Sequence, residues 1–145
     1  MARRSTSKLQ NAGAALHRGL YRLSRGRFLG RVGGLGVLLL TTRGRRTGKV
    51  RTIPLLYVDD AGGYVLIASN GGAELHPAWY LNLQAQPDAT VEIDGRTVPV
   101  HATDVVDPDD RARLWKRANE GYSGYDGYAT KTDRTIPVVR LQPTS

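Results

Sequence analysis

Leu35-Gly36-Val37-Leu38-Leu39-Leu40-Thr41-Thr42-Arg43-Gly44-Arg45-Arg46-Thr47-Gly48-Lys49-Val50-Arg51-Thr52-Ile53-Pro54-Leu55-Leu56-Tyr57-Val58 reads as strand, turn and strand. Two apolar runs of strand length flank a centre with five cations, two glycines and the hydroxyls of Thr47 and Thr52. Strands would hold such a turn rigid, glycines let backbone N–H groups approach a ligand closely, and arginines offer paired donors to phosphate or carboxylate. A solvated basic hairpin loop is the alternative that composition alone leaves open.

Downstream, Asp59-Asp60-Ala61-Gly62-Gly63 is a turn and Tyr64–Ser69 a third strand. Its run Tyr64-Val65-Leu66-Ile67-Ala68 is apolar throughout, which predicts burial on both faces and an antiparallel meander with the two strands before it. Ser69-Asn70-Gly71-Gly72-Ala73 is a loop, and Pro77 can open a helix to about Gln84, with Trp79 and Leu83 on one face and Ala78 and Asn82 on the next. Thr90–Ile93 and Arg96–Val105 form a hairpin around Asp94-Gly95. Asp107 caps a helix that starts at Pro108 and runs to about Asn119, with Leu114 and Ala118 inward. Gly121 to Ala129 reads as a glycine-and-tyrosine loop, and Ile136–Leu141 as the last strand. Six mostly antiparallel strands with short helical insertions make a mainly β, α+β chain: a small β-barrel.

Upstream, residues 1–31 read as a basic, partly amphipathic helix, with Leu9, Leu16, Leu20 and Leu23 on one face and Arg18, Arg22 and Arg25 opposite. Such a segment suits peripheral contact with an anionic membrane, docking on the barrel, or folding on binding. Gly30, Gly33, Gly34 and Gly36 read as a flexible hinge before the first strand, and because they precede a strand rather than follow one they are no dinucleotide fingerprint. Residues 32–145 then form the barrel domain.

Of 145 residues, Met1 to Val58 hold 13 Lys/Arg and no acidic residue, whereas Asp59 onward holds 8 Lys/Arg and 13 Asp/Glu. That asymmetry predicts an anionic partner for the first part. Aromatic residues interleave that part only at Tyr21, Phe28 and Tyr57, so specific nucleic-acid stacking is not expected. The chain has no cysteine, which excludes disulfides and thiolate chemistry, and His17, His76 and His101 lack metal-ligand spacing, so no metal is expected. No stretch of about 18 apolar residues could span a membrane. The dense carboxylates, Asp59-Asp60 and Asp107-Asp109-Asp110, fit turn and cap chemistry, and there is no nucleophile elbow or Walker loop.

What remains is an anion clamp, a glycine-lined bend at Ser69-Asn70-Gly71-Gly72, and Tyr122, Tyr125 and Tyr128 at three-residue spacing. The tyrosines suit a wall that stacks on a planar molecule, or simply a loop packed by its aromatics. Trp79 suits a cofactor's underside or the core. This inventory needs a cofactor that brings its own chemistry.

Thr42-Arg43-Gly44-Arg45-Arg46-Thr47-Gly48, Arg51-Thr52-Ile53-Pro54-Leu55, Ala68-Ser69-Asn70-Gly71-Gly72-Ala73-Glu74, Pro77-Ala78-Trp79-Tyr80-Leu81-Asn82-Leu83 and Thr132-Asp133-Arg134-Thr135-Ile136-Pro137 resemble the deazaflavin-dependent nitroreductase family from about Leu38 to Pro143. The resemblance implies a split β-barrel that uses reduced coenzyme F420 to reduce quinones, nitroaromatics and unsaturated lactones by hydride transfer, mainly in actinobacteria. It implies that Arg45, Arg46, Thr47 and Arg51 hold the coenzyme's phosphate and oligoglutamate tail. Thr52, Ile53, Ile67, Ala68, Ser69 and Asn70 would frame the deazaflavin ring, and Ala78, Trp79 and Asn82 would complete the pocket. Tyr122, Tyr125 and Tyr128 match the substrate-facing tyrosines. Tyr125, beside the cofactor too, and Ser69 are the catalytic candidates, Tyr125 for orienting or protonating the substrate. Asn70 stands where relatives often carry Lys, which implies one tail contact fewer. A cytoplasmic quinone reductase, peripheral on the inner face of the plasma membrane through residues 1–31, is the resulting expectation. An FMN-dependent split-barrel enzyme and a non-catalytic basic binding module are the rivals; oligomeric state is not read from the sequence.

Overall fold

The computed structural model describes residues 31–32 and 35–144, so the helix expected over residues 1–31 lies outside the described residues but for the backbone of Arg31. The strands are β1 (Arg31–Val32), β2 (Leu35–Arg43), β3 (Val50–Asp60), β4 (Gly63–Ile67), β5 (Asp88–Ile93), β6 (Arg96–Asp104) and β7 (Val138–Pro143). The helices are α1 (Ala78–Ala85), α2 (Pro108–Gly121) and α3 (Gly124–Ala129), with a 3₁₀ turn at Asn70–Gly72.

β2, β3 and β4 form the expected meander, β7 and β6 extend it, and β5 pairs back onto β2 through Leu39↔Glu92, Leu40↔Val91 and Thr41↔Thr90. Six antiparallel strands thereby close a barrel and leave no long open edge. Its tightest corners are Asp94-Gly95, with φ of 52° and 76°, and Ala61-Gly62, with φ of 51° and 80°. Both have the paired positive φ that a two-residue hairpin turn demands.

Alternation along the strands divides the apolar residues between two cores. Leu38, Leu40, Leu55, Leu66, Ala68 and Leu141 fill the barrel together with Trp79, Tyr80 and Leu83 of α1. Leu35, Val37, Leu56, Val58, Val65 and Ile67 face outward, under Leu114 and Ala118 of α2 and Tyr125 of α3. This is why the apolar run of β4 is buried on both faces.

Three expectations change. Gly36 belongs to β2 rather than to a hinge: a Cβ there would run into the Tyr57 ring across the strand pair Gly36↔Tyr57. Residues 124–129 are helical, not a loop, and α2 continues to Gly121. Tertiary bonds offset the poor helix propensity of the glycines: Trp115 Nε1 donates to Asp126 Oδ1 at 2.7 Å, and the Asp126 amide donates to Asn119 Oδ1 at 2.9 Å. Finally, β4 ends at Ile67, so Ser69 leads into the 3₁₀ turn instead of closing a strand.

Strand direction collects the chemistry at one end. β2, β4 and β6 run toward that end and β3, β5 and β7 leave it. The basic turn, the bend after β4, the start of α1 and the segment before β7 therefore share it.

Candidate functional site

The basic turn is a braced structure. The Gly44 amide donates to the Lys49 carbonyl at 2.7 Å, and the Gly48 amide donates to the Gly44 carbonyl at 2.8 Å. Lys49 N–H reaches Thr47 Oγ1 at 3.2 Å, and Arg43 donates to the Gly48 carbonyl at 3.1 Å. Asn82 then pins the turn to α1. Its buried amide oxygen accepts from the Arg45 backbone N–H at 3.1 Å and from the guanidinium at 3.4 Å, while its Nδ2 donates to the buried Thr42 hydroxyl at 3.2 Å. Arg45, Arg46, Thr47, Lys49, Arg51 and Thr52 remain exposed. Among the described residues none of the five cations at 43–51 has a carboxylate partner. A rigid turn with uncompensated guanidinium groups attracts polyanions and loses little entropy on binding them.

Ile53 packs half-buried against the barrel core beside this turn, and Thr52 bonds to Thr41 across the strand pair at 2.8 Å. Ala68 and Trp79 are buried in the barrel core and Ile67 in the outer core, on the opposite face of the sheet, so the three do not share one surface; Ala78 is exposed at the start of α1.

The bend after β4 packs on the tyrosine helix. Gly72 has φ +82°, and a Cβ there would lie 2.8 Å from the Tyr128 carbonyl, so a side chain would push bend and helix apart. Ser69, 8% exposed, accepts at its carbonyl from the Gly72 amide at 2.9 Å. Asn70, with φ +48°, uses Nδ2 on the Leu75 carbonyl at 3.0 Å.

Tyr122, Tyr125 and Tyr128 do meet, with ring centroids 5.1 to 6.4 Å apart. They share no open cleft, however: Tyr125 is only 6% exposed and belongs to the outer core. The Tyr122 and Tyr128 hydroxyls bond to each other at 2.6 Å. Burial pushes the Tyr125 phenol well above its ordinary value, and burial, then the bond to Tyr122, push Tyr128 up to about 12. The surroundings of Tyr125 and Tyr128 thus keep both phenols protonated, as hydrogen-bond donors. No hydrogen bond to the Tyr125 hydroxyl is found among the described residues.

Two groups were not singled out by sequence. Arg134, before β7, donates to the carbonyls of Ala68, Ser69 and Ala73 and to His76 Nδ1. His76 stacks obliquely on Tyr80 with centroids 4.9 Å apart, and the Tyr80 hydroxyl donates to Asp104 Oδ2 at 2.8 Å. Arg134 lies within a family-like motif, but its partners are 58 to 66 positions away and no local pattern announces them. A separate depression of about 520 Å³ on α2, lined by Arg111, Trp115, Asn119 and Asp126 among others, contains none of the expected site residues. No group of residues able to hold a metal occurs among the described residues.

Comparison with known proteins gives a consistent result. The family model described as F420H(2)-dependent quinone reductase matches residues 15–143. An F420H(2)-dependent quinone reductase of Mycobacterium tuberculosis is 40% identical over 129 residues, covering 87% of each chain. A solved F420-H2 dependent reductase (FDR-A) is 39% identical with a TM-score of 0.66, covering 73% of this chain and 93% of its own. A second structure, described as a domain-swapped dimer, is 32% identical with a TM-score of 0.68 and covers 91% of this chain and 99% of its own.

Proposed function

The chain belongs to the F420H(2)-dependent quinone reductase family, and from that membership we propose how its own residues serve a reductase dependent on reduced coenzyme F420. The observation that carries the reading is the braced basic turn: five cations at 43–51 without a carboxylate partner among the described residues. A phosphate followed by glutamates is a polyanion, and this donor set fits it. Arg45, Arg46, Thr47 and Arg51 hold that tail, with Asn82 fixing the angle at which Arg45 leaves the turn.

The reduced coenzyme supplies the hydride. Thr52, Ile53 and the bend Ser69-Asn70 border the ring, Ala78 and Asn82 close the α1 side, Ala68 and Trp79 back it from the barrel core, and Ile67 anchors the end of β4 in the outer core. The acceptor is a planar electrophile, a quinone in the first instance, lying against the tyrosine cluster. Neutral phenols are the right donors for negative charge that develops on an acceptor oxygen. Tyr125 Oη, free of hydrogen bonds among the described residues, is the donor that orients or protonates it, and Ser69, in the bend beside the tyrosine helix, is the second catalytic candidate.

Titration of coenzyme F420 into the purified protein tests this reading. Saturable binding that weakens in Arg45→Ala and Arg51→Ala is expected; absent binding, or binding indifferent to both changes, overturns it. Flavin absorbance in the purified protein would point instead to FMN.

The sequence supports one further element of this reading. Residues 1–31 carry 8 Lys/Arg and no acidic residue, which suits contact with an anionic membrane face from the cytoplasmic side. No helix among the described residues is long and apolar enough to cross a membrane. Flotation with anionic liposomes should be lost on deletion of residues 1–30, and flotation that survives the deletion contradicts the contact. The relative that forms a domain-swapped dimer makes a dimer the oligomeric state to look for first by light scattering.

A further inference from the structure

Arg134 places its whole guanidinium fork on neutral acceptors. Nε donates to the Ala73 carbonyl at 2.9 Å and Nη2 to the Ser69 carbonyl at 2.8 Å. Both terminal nitrogens reach the Ala68 carbonyl at 3.3 Å, and Nη1 donates to His76 Nδ1 at 3.0 Å. Among the described residues it forms no ion pair. An arginine that merely balanced charge would face a carboxylate, whereas this one gathers three carbonyls of a single bend onto a planar fork that lysine cannot imitate. Partial burial weakens its hold on its proton, and no carboxylate among the described residues offsets that cost.

His76 completes the arrangement only when neutral, because Nδ1 must accept. The charged and titratable groups that face it are Arg134 from the segment before β7, Tyr80 from α1, and Asp104 from β6 behind Tyr80. A proton on Nδ1 would set two cations against each other and release one arm of the fork.

We propose that Arg134 is a positioning residue for the reductase reaction, setting the Ser69–Gly72 bend against the tyrosine helix, and that it does so only while His76 is neutral. This rests on the reading of Ser69 and Asn70 as a border of the coenzyme site. The bend carries the catalytic candidate Ser69 and meets Tyr128 at Gly72, so a shift of the bend moves both walls of that site together. Burial, then Arg134, lowers the proton affinity of His76, and Asp104 opposes them. The neutral imidazole therefore persists below the ordinary histidine value of about 6.5, and the bend loosens as the pH falls further.

The test compares wild type, Arg134→Lys and His76→Gln, each with its thermal stability recorded. Hydrogen exchange at the Gly72 and Ala73 amides, which donate to the Ser69 and Asn70 carbonyls, reads the bend without any ligand. Coenzyme F420 affinity reads the site. Arg134→Lys should speed exchange at both amides and weaken coenzyme affinity about tenfold or more. Wild type should lose affinity between about pH 8 and about pH 5, on either side of the histidine range. His76→Gln, whose side-chain oxygen still accepts but does not titrate, should flatten that profile. Unchanged exchange in Arg134→Lys, or a wild-type profile already flat, overturns the proposal. Faster exchange with unchanged affinity overturns it too, and shows that the bend lies outside the coenzyme site; retained sensitivity to Arg45→Ala would then leave the tail clamp standing. If Arg134→Lys fails to fold, the His76→Gln profile and exchange decide alone.

Discussion

Two groups of arginines in this chain live in opposite surroundings. Arg113, Arg117 and Arg140 converge on Asp60, whose side chain is 11% exposed, at 2.8 to 3.3 Å. They tie α2 and β7 to the end of β3. Arg45, Arg46 and Arg51 project from an equally well-braced turn and meet no carboxylate. Residue type is the same in both groups; what differs is whether the fold has already supplied the anion. A satisfied cluster spends its electrostatics on stability, and an unsatisfied one keeps them for a ligand.

The contrast breaks down if the two groups respond alike to mutation. Arg45→Ala with Arg51→Ala should weaken coenzyme F420 about 100-fold, about 2.7 kcal/mol, in a titration. Its unfolding midpoint should stay near wild type or rise, because like charges have been removed. Asp60→Asn should do the reverse, costing about 2 kcal/mol in urea unfolding while coenzyme affinity is kept. The Arg113 and Arg140 guanidiniums hold the Asp60 carboxyl down to about 2, so its stabilisation is present above the ordinary value of 3.8 and is lost as the pH falls toward 2. Acid unfolding in Asp60→Asn should lack that component. Asn82→Ala sits between the groups, since it removes the brace but no charge. About 1 kcal/mol of stability and about a fivefold loss of coenzyme affinity are expected, read by unfolding and titration together. Tyr125→Phe should change stability least, by under about 0.5 kcal/mol, because the hydroxyl has no partner among the described residues to lose. A fall in single-turnover reduction by that variant would place the phenol against the acceptor; an unchanged rate would leave Tyr125 a packing residue.

The hairpin at 35–58 was legible because both its apolar runs and its turn chemistry are local. Asp94-Gly95 and the Asp107-Pro108 helix start were legible for the same reason, and Asp107 does accept from the Asp110 amide at 3.0 Å. The helix at 124–129 was not, since two of its six residues are glycine and its support comes from Trp115 and Asn119 on α2. Gly36 looked like a hinge because only the pairing with β3 reveals the ring it makes room for. In the site, the cations of the turn could be read directly, whereas the roles of Asn82 and Arg134 depend on partners 37 to 66 positions away. Tyr125 was legible as one of three spaced tyrosines, but its burial depends on how α3 folds onto the outer core.

The central claim is that the basic turn grips the coenzyme's anionic tail and not its ring. Affinity should therefore be measured for coenzyme F420 and for its deazaflavin core lacking phosphate and glutamates, each against wild type and the Arg45→Ala, Arg51→Ala protein. The prediction is a loss of about 100-fold on removing either the tail or the arginines, with little further loss when both are removed. Equal sensitivity of the tailless core to the arginine changes, or no effect of tail removal on wild type, would contradict it.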